Sequence, residues 1–350
     1  MTMNRIQIFI YKSILIFTFL LFTFSCVKEK FSDPEYDITG IWYGSWQGNT
    51  DESGTFITDI TMDFTDFEGY IYILSDLPSL FNYGIDFDGT ISGHEVNTLI
   101  SVENVLIRAE GELENDSIAE GTFHTSVDID GNWSCRKIPL NEVEISDSFT
   151  YSTNHTISCM TFDGENFWVN PEFEYKLLLL DQEGEVINSF DTDNYYKDMT
   201  FSGKYLWCVS YNSDKIIKLD KKGNEIVRID PPHYFADAIA FDGTYLWCSD
   251  GLYRMTYKLD TLGNVLDSLQ NPLLPHSVHM EYFDDHLFIN CLSKIFKLSL
   301  NGTIVSYFDI PGGYPRGMSV YDNSIWYVYQ EQYEQGVCCK QTIFYEFRLE

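Results

Sequence analysis

The ten-residue stretch FDGTYLWCSD at positions 241–250 returns in altered form along the second half of the chain. FDGENFWVNP occupies positions 162–171 and FSGKYLWCVS positions 201–210. The aromatic residues that end successive phrases are Trp168, Trp207, Trp247, Phe288 and Trp326. They are separated by 39, 40, 41 and 38 residues. So regular a period predicts a repeat architecture in which each repeat is one structural unit.

Each repeat carries further landmarks after the aromatic residue. A charged strand follows each time, with the sequences YKLLLLD, KIIKLD, TYKLD, KIFKLS and FYEFRLE. The first four are followed by a turn that ends in glycine, at Gly184, Gly223, Gly263 and Gly302. Four strands in every period of about 40 residues are the signature of a β-propeller, in which each repeat forms one blade.

The repeated phrase suits the inner strands of a blade. Such strands are covered on both faces by neighbouring blades, so they consist of continuous apolar runs such as YLWC. The tryptophan is predicted to fill the space between blades. The FDG before it is predicted to be the tight turn that leaves the innermost strand, with glycine at a positive φ.

The number of strands predicts how the ring closes. The repeats contain five innermost strands but only four outermost strands, because the last repeat ends with the chain. EVEISDSF at 142–149 resembles EVINSF at 185–190 and supplies the missing strand. Residues 142–350 are therefore predicted to form a five-bladed propeller that is closed by this N-terminal clasp strand. The repeats resemble those of NHL and SMP-30 propellers, which often have six blades, so six blades is the alternative.

Residues 38–138 are predicted to be a separate all-β domain. Alternating stretches such as GTFITDITMDF (54–64) are separated by turn sequences, and about eight strands fit. Eight short successive strands suggest an up-and-down barrel, with a β-sandwich as the alternative. The motif Gly40-x-Trp42 on the first strand, with Arg136 on the last, resembles the lipocalins. That resemblance implies that Arg136 stacks on Trp42 at the base of the barrel.

Residues 1–25 have the features of a secretory signal. Two cations, Arg5 and Lys12, precede the uncharged apolar run SILIFTFLLFTFS, and Cys26 follows it. TFSC resembles a bacterial lipobox, which implies a diacylglyceryl anchor on Cys26 and a tether over 26–37. We therefore expect a lipoprotein of the bacterial cell envelope, held at a membrane and with the outer membrane favoured. An ordinary signal peptide or an uncleaved anchor is the alternative.

Charge and cysteine content limit the partners. The formal charge of −31 opposes binding to nucleic acid and to anionic lipid surfaces, and its simplest role is solubility. After Cys26 the chain contains Cys135, Cys159, Cys208, Cys248, Cys291, Cys338 and Cys339. An odd number leaves at least one unpaired, and most are expected to be buried in strands. Because no C-x-x-C pair occurs, a zinc site is not expected.

The mouth of the propeller channel is the place to look for a ligand. Counting back from the turns, the positions that enter the channel are Ser158, Lys197, Asp237, His279 and Gly317. One residue earlier are Ile157, Tyr196, Ala236, Val278 and Arg316. The approaching loops carry Tyr195, Tyr196, His233, Tyr234, Phe235, His276 and Tyr314. Only Asp237 and the adjacent Asp198 offer carboxylates there, too few for a Ca²⁺ site, so neither a metal nor another cofactor is expected.

This composition favours a binding or scaffold protein. Aromatic faces beside hydrogen-bonding groups suit a glycan or a peptide, although such residues also pack under loops without binding anything. The predicted ligand contacts are Tyr196, Lys197, Tyr234, Asp237, His279 and Arg316. An assembly module that binds a protein partner through the sides of the propeller is another alternative.

An enzyme is the remaining alternative, with Asp237 and His279 as acid–base groups. The resemblance to SMP-30 propellers implies a metal-dependent lactonase. The five-blade count is also that of glutaminyl cyclases, where Asp237 or Glu281 would shuttle a proton. The sequence contains no G-x-S-x-G, H-E-x-x-H or Walker motif.

Overall fold

The computed structural model describes residues 36–349 apart from 50–52, 64, 76–83, 103–104, 127–129, 153–154, 252, 274–278, 292, 312–314 and 331–340. The predicted signal, Cys26, nearly all of the tether, His276, Val278, Tyr314, Cys338 and Cys339 lie outside these residues. The described part is all-β and contains no helix that could span a membrane. The chain divides into two compact units, Met1–Pro139 and Leu140–Glu350.

The first unit is a closed eight-stranded barrel. Its strands are β1 (Gly40–Gly48), β2 (Ser53–Asp63), β3 (Asp66–Ser75), β4 (Gly84–Ser92), β5 (Glu95–Val102), β6 (Val105–Asn115), β7 (Ile118–Thr125) and β8 (Asp130–Lys137). Each strand pairs antiparallel with the next one, and β8 returns to pair with β1. The predicted up-and-down barrel is thus confirmed, and the alternative of a sandwich is wrong.

Aromatic and aliphatic side chains fill the barrel. Trp42, Phe56 and Trp133 are all buried in its core, and the indole of Trp42 donates a hydrogen bond to the carbonyl of Ile38 at 2.7 Å. Glycines make room for these rings: a Cβ on Gly111 would lie 2.2 Å from the indole of Trp133. The interior is therefore a packed core of the kind that small barrels have.

The predicted stacking of Arg136 on Trp42 is wrong. The strand register places Arg136 opposite Tyr43, whereas Trp42 is opposite Lys137. Directly opposed residues share a face of the sheet, and adjacent residues point to opposite faces. Trp42 points into the barrel core, so Arg136 leaves the sheet on the outer face.

The second unit is a five-bladed propeller, as predicted, and the alternative of six blades is wrong. Blade 1 consists of β11 (Ile157–Phe162), β12 (Phe167–Pro171), β13 (Lys176–Leu180) and β14 (Val186–Asp191). Blade 2 consists of β15 (Tyr196–Phe201), β16 (Leu206–Ser210), β17 (Ile216–Leu219) and β18 (Glu225–Ile229). Blade 3 consists of β19 (Ala236–Phe241), β20 (Leu246–Asp250), β21 (Met255–Leu259) and β22 (Val265–Gln270).

The last two blades include strands from the start of the unit. Blade 4 consists of β23 (His279–Phe283), β24 (His286–Cys291), β25 (Lys294–Ser299) and β26 (Ile304–Asp309), with the short β9 (Leu140–Asn141) parallel to β26. Blade 5 consists of β27 (Met318–Tyr321), β28 (Ser324–Gln330) and β29 (Gln341–Arg348), followed outward by β10 (Ile145–Ser152). Strand β10 pairs antiparallel with β29 and is the predicted clasp.

The repeated tryptophan packs between blades. Trp168 of blade 1 shares a buried cluster with Leu206 and Ile217 of blade 2. Trp207 of blade 2 does the same with Ile239 of blade 3, and Trp326 of blade 5 packs against blade 1. The aromatic position of one blade therefore fills the gap to the next, as predicted.

The turn glycine of the outer hairpin also has a packing role. Gly223 adopts a φ of 76°, and a Cβ there would lie 2.8 Å from the Cβ of Phe190 on blade 1. Gly302 has a φ of 85° and faces the backbone carbonyl of Gln270 on blade 3. The outer hairpin turns of blades 2 and 4 thus rest on the blade before each, where a side chain would not fit.

Five cysteines lie among the described residues, and all five are buried and unpaired. They are Cys135, Cys159, Cys208, Cys248 and Cys291. Burial raises the pKa of each of these thiols, so they are neutral small hydrophobic groups at neutral pH.

Candidate functional site

The mouth face of the propeller is the end at which the innermost strands begin. Because strands alternate in direction, the loops that lead into β15 and β19 lie there, together with the loops between the second and third strands of each blade. Hydrogen bonds tie these two kinds of loop together. The amide of Tyr211 donates to the carbonyl of Tyr195 at 2.9 Å, and that of Gly251 to Phe235 at 3.3 Å.

A ring of polar side chains surrounds the start of the channel at this face. Lys197 of β15 forms an ion pair with Asp237 of β19 at 2.9 Å and also donates to the carbonyl of Ala236 at 2.9 Å. The two charged side chains are 20% and 31% exposed, so a ligand can reach them. Arg316 is half-buried at the start of blade 5. Ser158 is occupied by hydrogen bonds to Asn170.

The six predicted ligand contacts are not equally accessible. Tyr234 is 81% exposed, and Lys197, Asp237 and Arg316 are partly exposed. Tyr196 is buried in the core between blades 1 and 2. His279 is also buried. Four of the six side chains are therefore open to a ligand at the mouth, and the two buried ones support the structure beneath them.

A buried carboxylate lies one residue below the polar ring. Asp198 of β15 accepts hydrogen bonds from Nδ1 of His279 at 3.0 Å, from the amide of Ile239 at 2.9 Å and from the amide of Met280 at 3.1 Å. Burial raises the pKa of Asp198, although the hydrogen bond from His279 partly opposes this shift. The Asp198 side chain thus connects the innermost strands of blades 2, 3 and 4.

A second carboxyl group lies deeper in the channel. Oε2 of Glu281 accepts a hydrogen bond from Thr200 at 2.8 Å, and Oε1 lies 3.3 Å from Thr161 and 3.4 Å from Ser319. Each of these four residues pairs across strands with the repeated aromatic residue of its own blade. The pairs are Thr161 with Trp168, Thr200 with Trp207, Glu281 with Phe288 and Ser319 with Trp326, so the four occupy equivalent positions of blades 1, 2, 4 and 5. Burial raises the pKa of Glu281 well above its ordinary value.

Sequence counting did not select Asp198, and it weighed Glu281 only as a proton shuttle. The count placed His279 level with Lys197, whereas strand pairing places it level with Asp198. The difference arises at the turn that follows the innermost strand. Tyr282 pairs with Leu287 as Phe201 pairs with Leu206, so Tyr282 and not Phe283 is the counterpart of Phe201, and a count that starts from Phe283 is one residue out. A charged residue inside an apolar innermost strand was the available signal, because such residues are rarely buried without a role.

Four aromatic side chains from blades 1 and 2 form a cluster on the mouth face, which we call the tyrosine cluster. The rings of Tyr195 and Tyr211 stack with centroids 5.0 Å apart. Phe173 and Tyr175 meet Tyr195 edge-on at 5.6 and 6.0 Å. The ammonium of Lys197 lies 5.6 Å from the centre of the Tyr211 ring, which joins the cluster to the polar ring.

Blade 3 carries a second set of aromatic residues on the same face. The ring of His233 lies 4.4 Å from Tyr253 and 5.6 Å from Tyr257. Tyr234 and Phe235, next in the chain, are exposed. Asp237 of the polar ring follows two residues later, so aromatic groups flank the Lys197–Asp237 ion pair from both blades.

Exposed aromatic and aliphatic side chains occupy different parts of the propeller. The exposed aromatic residues in the described part of this unit are Phe173, Tyr175, Tyr211, Tyr234, Phe235, Tyr253 and Tyr321. All but Tyr321 lie on the mouth face. The exposed aliphatic residues are Leu140, Val186, Ile187, Ile226, Leu262, Val265, Leu266 and Val305. All of these lie on or beside the outer strands, so the mouth face has a distinct chemical character.

Metal ligands of the usual kinds do not converge at the mouth. Within the described ranges, no group of three or more His, Cys, Asp or Glu side chains is placed to hold a metal ion.

Comparison with known proteins identifies the fold. No family model matches the chain, and no curated protein matches its sequence. Glutaminyl cyclase of Myxococcus xanthus superposes with a TM-score of 0.51 at 13% identity, over 61% of this chain and 98% of that one. Regucalcin of Agrobacterium tumefaciens gives 0.41 at 9% identity, over 61% and 97%. Virginiamycin B lyase of Staphylococcus aureus gives 0.36 at 16% identity, over 88% and 100%. The likeness to the glutaminyl cyclase is one of fold alone and agrees with the five-bladed propeller described above.

Proposed function

We propose that this protein is a cell-envelope lipoprotein whose propeller binds a glycan at the mouth face. The observation that carries the proposal is the segregation of exposed side chains, with six of the seven exposed aromatic residues of the described propeller on that face. Contiguous exposed apolar surface marks interaction sites, and aromatic rings suit the CH faces of sugars. The Lys197–Asp237 pair and Arg316 supply hydrogen-bonding partners for hydroxyl or carboxyl groups.

A glycan fits this surface better than a peptide does. Many peptides are bound through open strand edges or through grooves for apolar side chains, and the aromatic-lined grooves that bind peptides take proline-rich ones. The mouth face is built from loops and strand ends, and the large apolar side chains exposed on its described part are all aromatic. The aliphatic residues that would suit a protein partner lie instead on the outer strands, such as Ile187 and Leu266.

The binding proposal is tested with Tyr211→Ala and Tyr234→Ala. Each variant, and the unchanged protein, is applied to an array of bacterial and plant oligosaccharides, and hits are measured by calorimetry. Loss of a stacking ring should weaken binding at least tenfold, which corresponds to about 1.4 kcal/mol.

Tyr321→Ala is the matched control, because Tyr321 is an exposed tyrosine at the opposite end of the blades. Its affinity for the same oligosaccharide should equal that of the unchanged protein. An array without any bound glycan, or an equal loss in the control, would refute the glycan proposal.

The location in the envelope rests on the N-terminal sequence. The apolar run that ends at Cys26 supports lipidation, which would hold the chain at a membrane despite its formal charge of −31. Cys26→Ser should move the protein from the membrane fraction to the soluble fraction and abolish its labelling by radioactive palmitate. A variant that remains membrane-bound without label would disprove the lipid anchor.

An enzyme is the second candidate function. It is favoured by Asp237, which is a partly exposed carboxylate at the mouth beside a cation, where it can accept a proton from a bound molecule. The propeller fold of a glutaminyl cyclase supports a test with a peptide that begins with glutamine. Turnover that disappears in Asp237→Asn would favour the enzyme, whereas binding without turnover would favour the glycan receptor.

A further inference from the structure

The carboxyl group of Glu281 is buried in the channel and has no cationic partner within the described part of the chain. Only 6% of the residue is exposed, and its recorded contacts are the hydroxyls of Thr161, Thr200 and Ser319. A buried carboxylate must be neutralised by a proton or matched by a positive charge. The distances between the surrounding oxygens indicate whether Glu281 carries a proton or faces a cation.

Three oxygens at this level form a nearly equilateral triangle. Oε1 of Glu281 is 3.3 Å from Oγ1 of Thr161 and 3.4 Å from Oγ of Ser319, and the two hydroxyl oxygens are 3.3 Å apart. Hydrogen bonds between oxygens span about 2.5–3.0 Å. The contact from Thr200 to Oε2, at 2.8 Å, is such a bond, whereas the three sides of the triangle are longer.

The same separations suit ligands that share a metal ion. Neighbouring ligands of an octahedral ion are separated by about 1.4 times the metal–ligand distance. Ca²⁺ binds oxygen at about 2.3–2.6 Å, which gives separations of about 3.3–3.7 Å. Mg²⁺ binds at about 2.0–2.1 Å, which gives about 2.8–3.0 Å. The triangle of Glu281, Thr161 and Ser319 therefore has the size of one face of a Ca²⁺ shell.

Neighbouring groups hold these oxygens in place. The hydrogen bond from Thr200 fixes Oε2 of Glu281, so Oε1 faces the other two hydroxyls. The amide of Phe162 donates to Oγ of Ser319 at 3.0 Å, which occupies one acceptor position and leaves another for a cation. Such supporting contacts orient the ligands at metal sites.

We propose that Glu281, Thr161 and Ser319 form a site for a hard cation of the size of Ca²⁺ on the axis of the propeller, with water completing its shell. Ca²⁺ and the similarly sized Na⁺ share this oxygen chemistry. The proposal differs from the expectation of no metal, because sequence counting weighed carboxylates at the mouth and not hydroxyls deeper in the channel. It is independent of any ligand on the mouth face.

The position of the site suggests what the cation does. Its three ligands come from blades 4, 1 and 5, and blade 5 contains strands from both ends of the propeller unit. Asp198 connects blades 2, 3 and 4 in the layer above. The cation would therefore stabilise the part of the ring that the Asp198 contacts do not span.

The test measures thermal unfolding of the full chain in detergent after treatment with a chelator. CaCl₂, NaCl, MgCl₂ and choline chloride are compared at equal ionic strength. Binding to the native state alone should raise the Tm of the propeller saturably, by about 5 °C or more at one hundred times the Kd. We expect this rise with Ca²⁺ or Na⁺ and little or none with Mg²⁺ or choline.

The variant Glu281→Gln distinguishes cation binding at this site from weak cation binding to the acidic surface. This variant keeps the shape of the side chain and should abolish the rise in Tm, whereas Asp267→Asn, an exposed acid on blade 3, should retain it. If Glu281→Gln does not fold, Ser319→Ala is used with Tb³⁺ luminescence, displaced by Ca²⁺, as the readout. Tm curves that do not differ among the salts, or a rise that persists without Glu281, would overturn the proposal and leave a protonated Glu281.

Discussion

The aspartate of the repeated FDG phrase connects a turn to the tryptophan that follows it. In blade 3, Oδ1 of Asp242 accepts the amides of Thr244 and Tyr245, while Oδ2 accepts the indole N–H of Trp247 at 3.1 Å. Lys258 completes the set with an ion pair at 3.1 Å. One side chain thus sets the turn and the orientation of the indole. Blade 1 repeats the arrangement around Asp163 and Trp168.

Replacing this aspartate should destabilise the propeller. Asp242→Ala leaves the indole N–H of Trp247 and two turn amides without their acceptor, which should cost about 1–3 kcal/mol of unfolding free energy. Urea unfolding followed by tryptophan fluorescence measures the loss. Asp267→Ala, an exposed aspartate of the same blade, is the control and should change stability by less than about 0.5 kcal/mol. Equal losses in both variants would contradict this role.

The same carboxylates should make the propeller sensitive to acid. Burial alone would raise the pKa of Asp163, but hydrogen bonds from Lys221 and Trp168 outweigh it, and the net pKa lies below the ordinary value of 3.8. Burial would also raise the pKa of Asp242, but hydrogen bonds from the amides of Tyr245 and Thr244 and from Trp247 and Lys258 lower it below the ordinary value. A carboxyl group whose pKa is depressed by folding stabilises the native state above its unfolded pKa, and this contribution is lost as the pH falls through the folded value.

We expect replacement of the two aspartates to lower the Tm less in acid than near neutral pH. The difference in Tm between the unchanged protein and the Asp163→Ala, Asp242→Ala double variant should be full at pH 6 and should shrink below about pH 4. Thermal scans between about pH 2.5 and pH 6 measure it. A difference that is constant over this range would show that the two aspartates act through packing and not through charge.

At the residue scale, the sequence predicted the buried tryptophans but not the polar contacts in the channel. The phrase and its period predicted the buried roles of Trp168 and Trp207, because apolar runs of fixed spacing depend only on the repeat. The contact between Asp198 and His279 could not be predicted by counting, since the turn after β23 begins one residue later than the turn after β15 and this changes which positions share a level. The burial of Tyr196 could not be predicted for a different reason, because two adjacent tyrosines give no sign of which one faces inward.

At the scale of elements, the clasp strand shows what a repeat can predict. The match of EVEISDSF to a later outermost strand predicted that 142–149 would complete the last blade, and β10 does so over Ile145–Ser152. The pairing was predictable because an unmatched innermost strand requires an outer partner. The parallel β9 was not predicted, because two residues carry no periodicity.

One side chain of the clasp carries much of its packing. Phe149 stacks on Phe344 of the neighbouring strand with ring centroids 4.5 Å apart, and it also contacts Phe167 of blade 1 and Trp326. Phe149→Ala should therefore cost about 2–3 kcal/mol, less than the ~3–5 kcal/mol of a fully buried phenylalanine because the ring is only half-buried.

Thr150→Ala, at the adjacent exposed position of the same strand, is the control for Phe149→Ala. Urea unfolding measures both, and limited proteolysis of the native protein should cut the Phe149 variant faster. Equal stabilities would show that main-chain pairing alone holds the clasp.

At the scale of the whole molecule, each unit closes on itself through main-chain strand pairing. The barrel closes through the pairing of β1 with β8, which leaves no free edge. The propeller closes through β10 and β29, so the clasp and the last strand lie in one blade. Closure of this kind couples stability to the chain ends, because removal of one strand opens the ring while the interior of each blade stays unchanged.

The role of the clasp strand in closing the ring can be tested with two fragments of the propeller unit. A fragment of residues 140–350 retains β9 and the clasp and should fold by itself, with near-UV circular dichroism and a cooperative thermal transition. A fragment of residues 153–350 lacks the clasp and exposes β29, together with the Phe344 face that Phe149 covers. We expect it to lose cooperative unfolding or to aggregate through the open strand edge. If the shorter fragment melts as sharply and at the same Tm as the longer one, the clasp does not close the ring energetically.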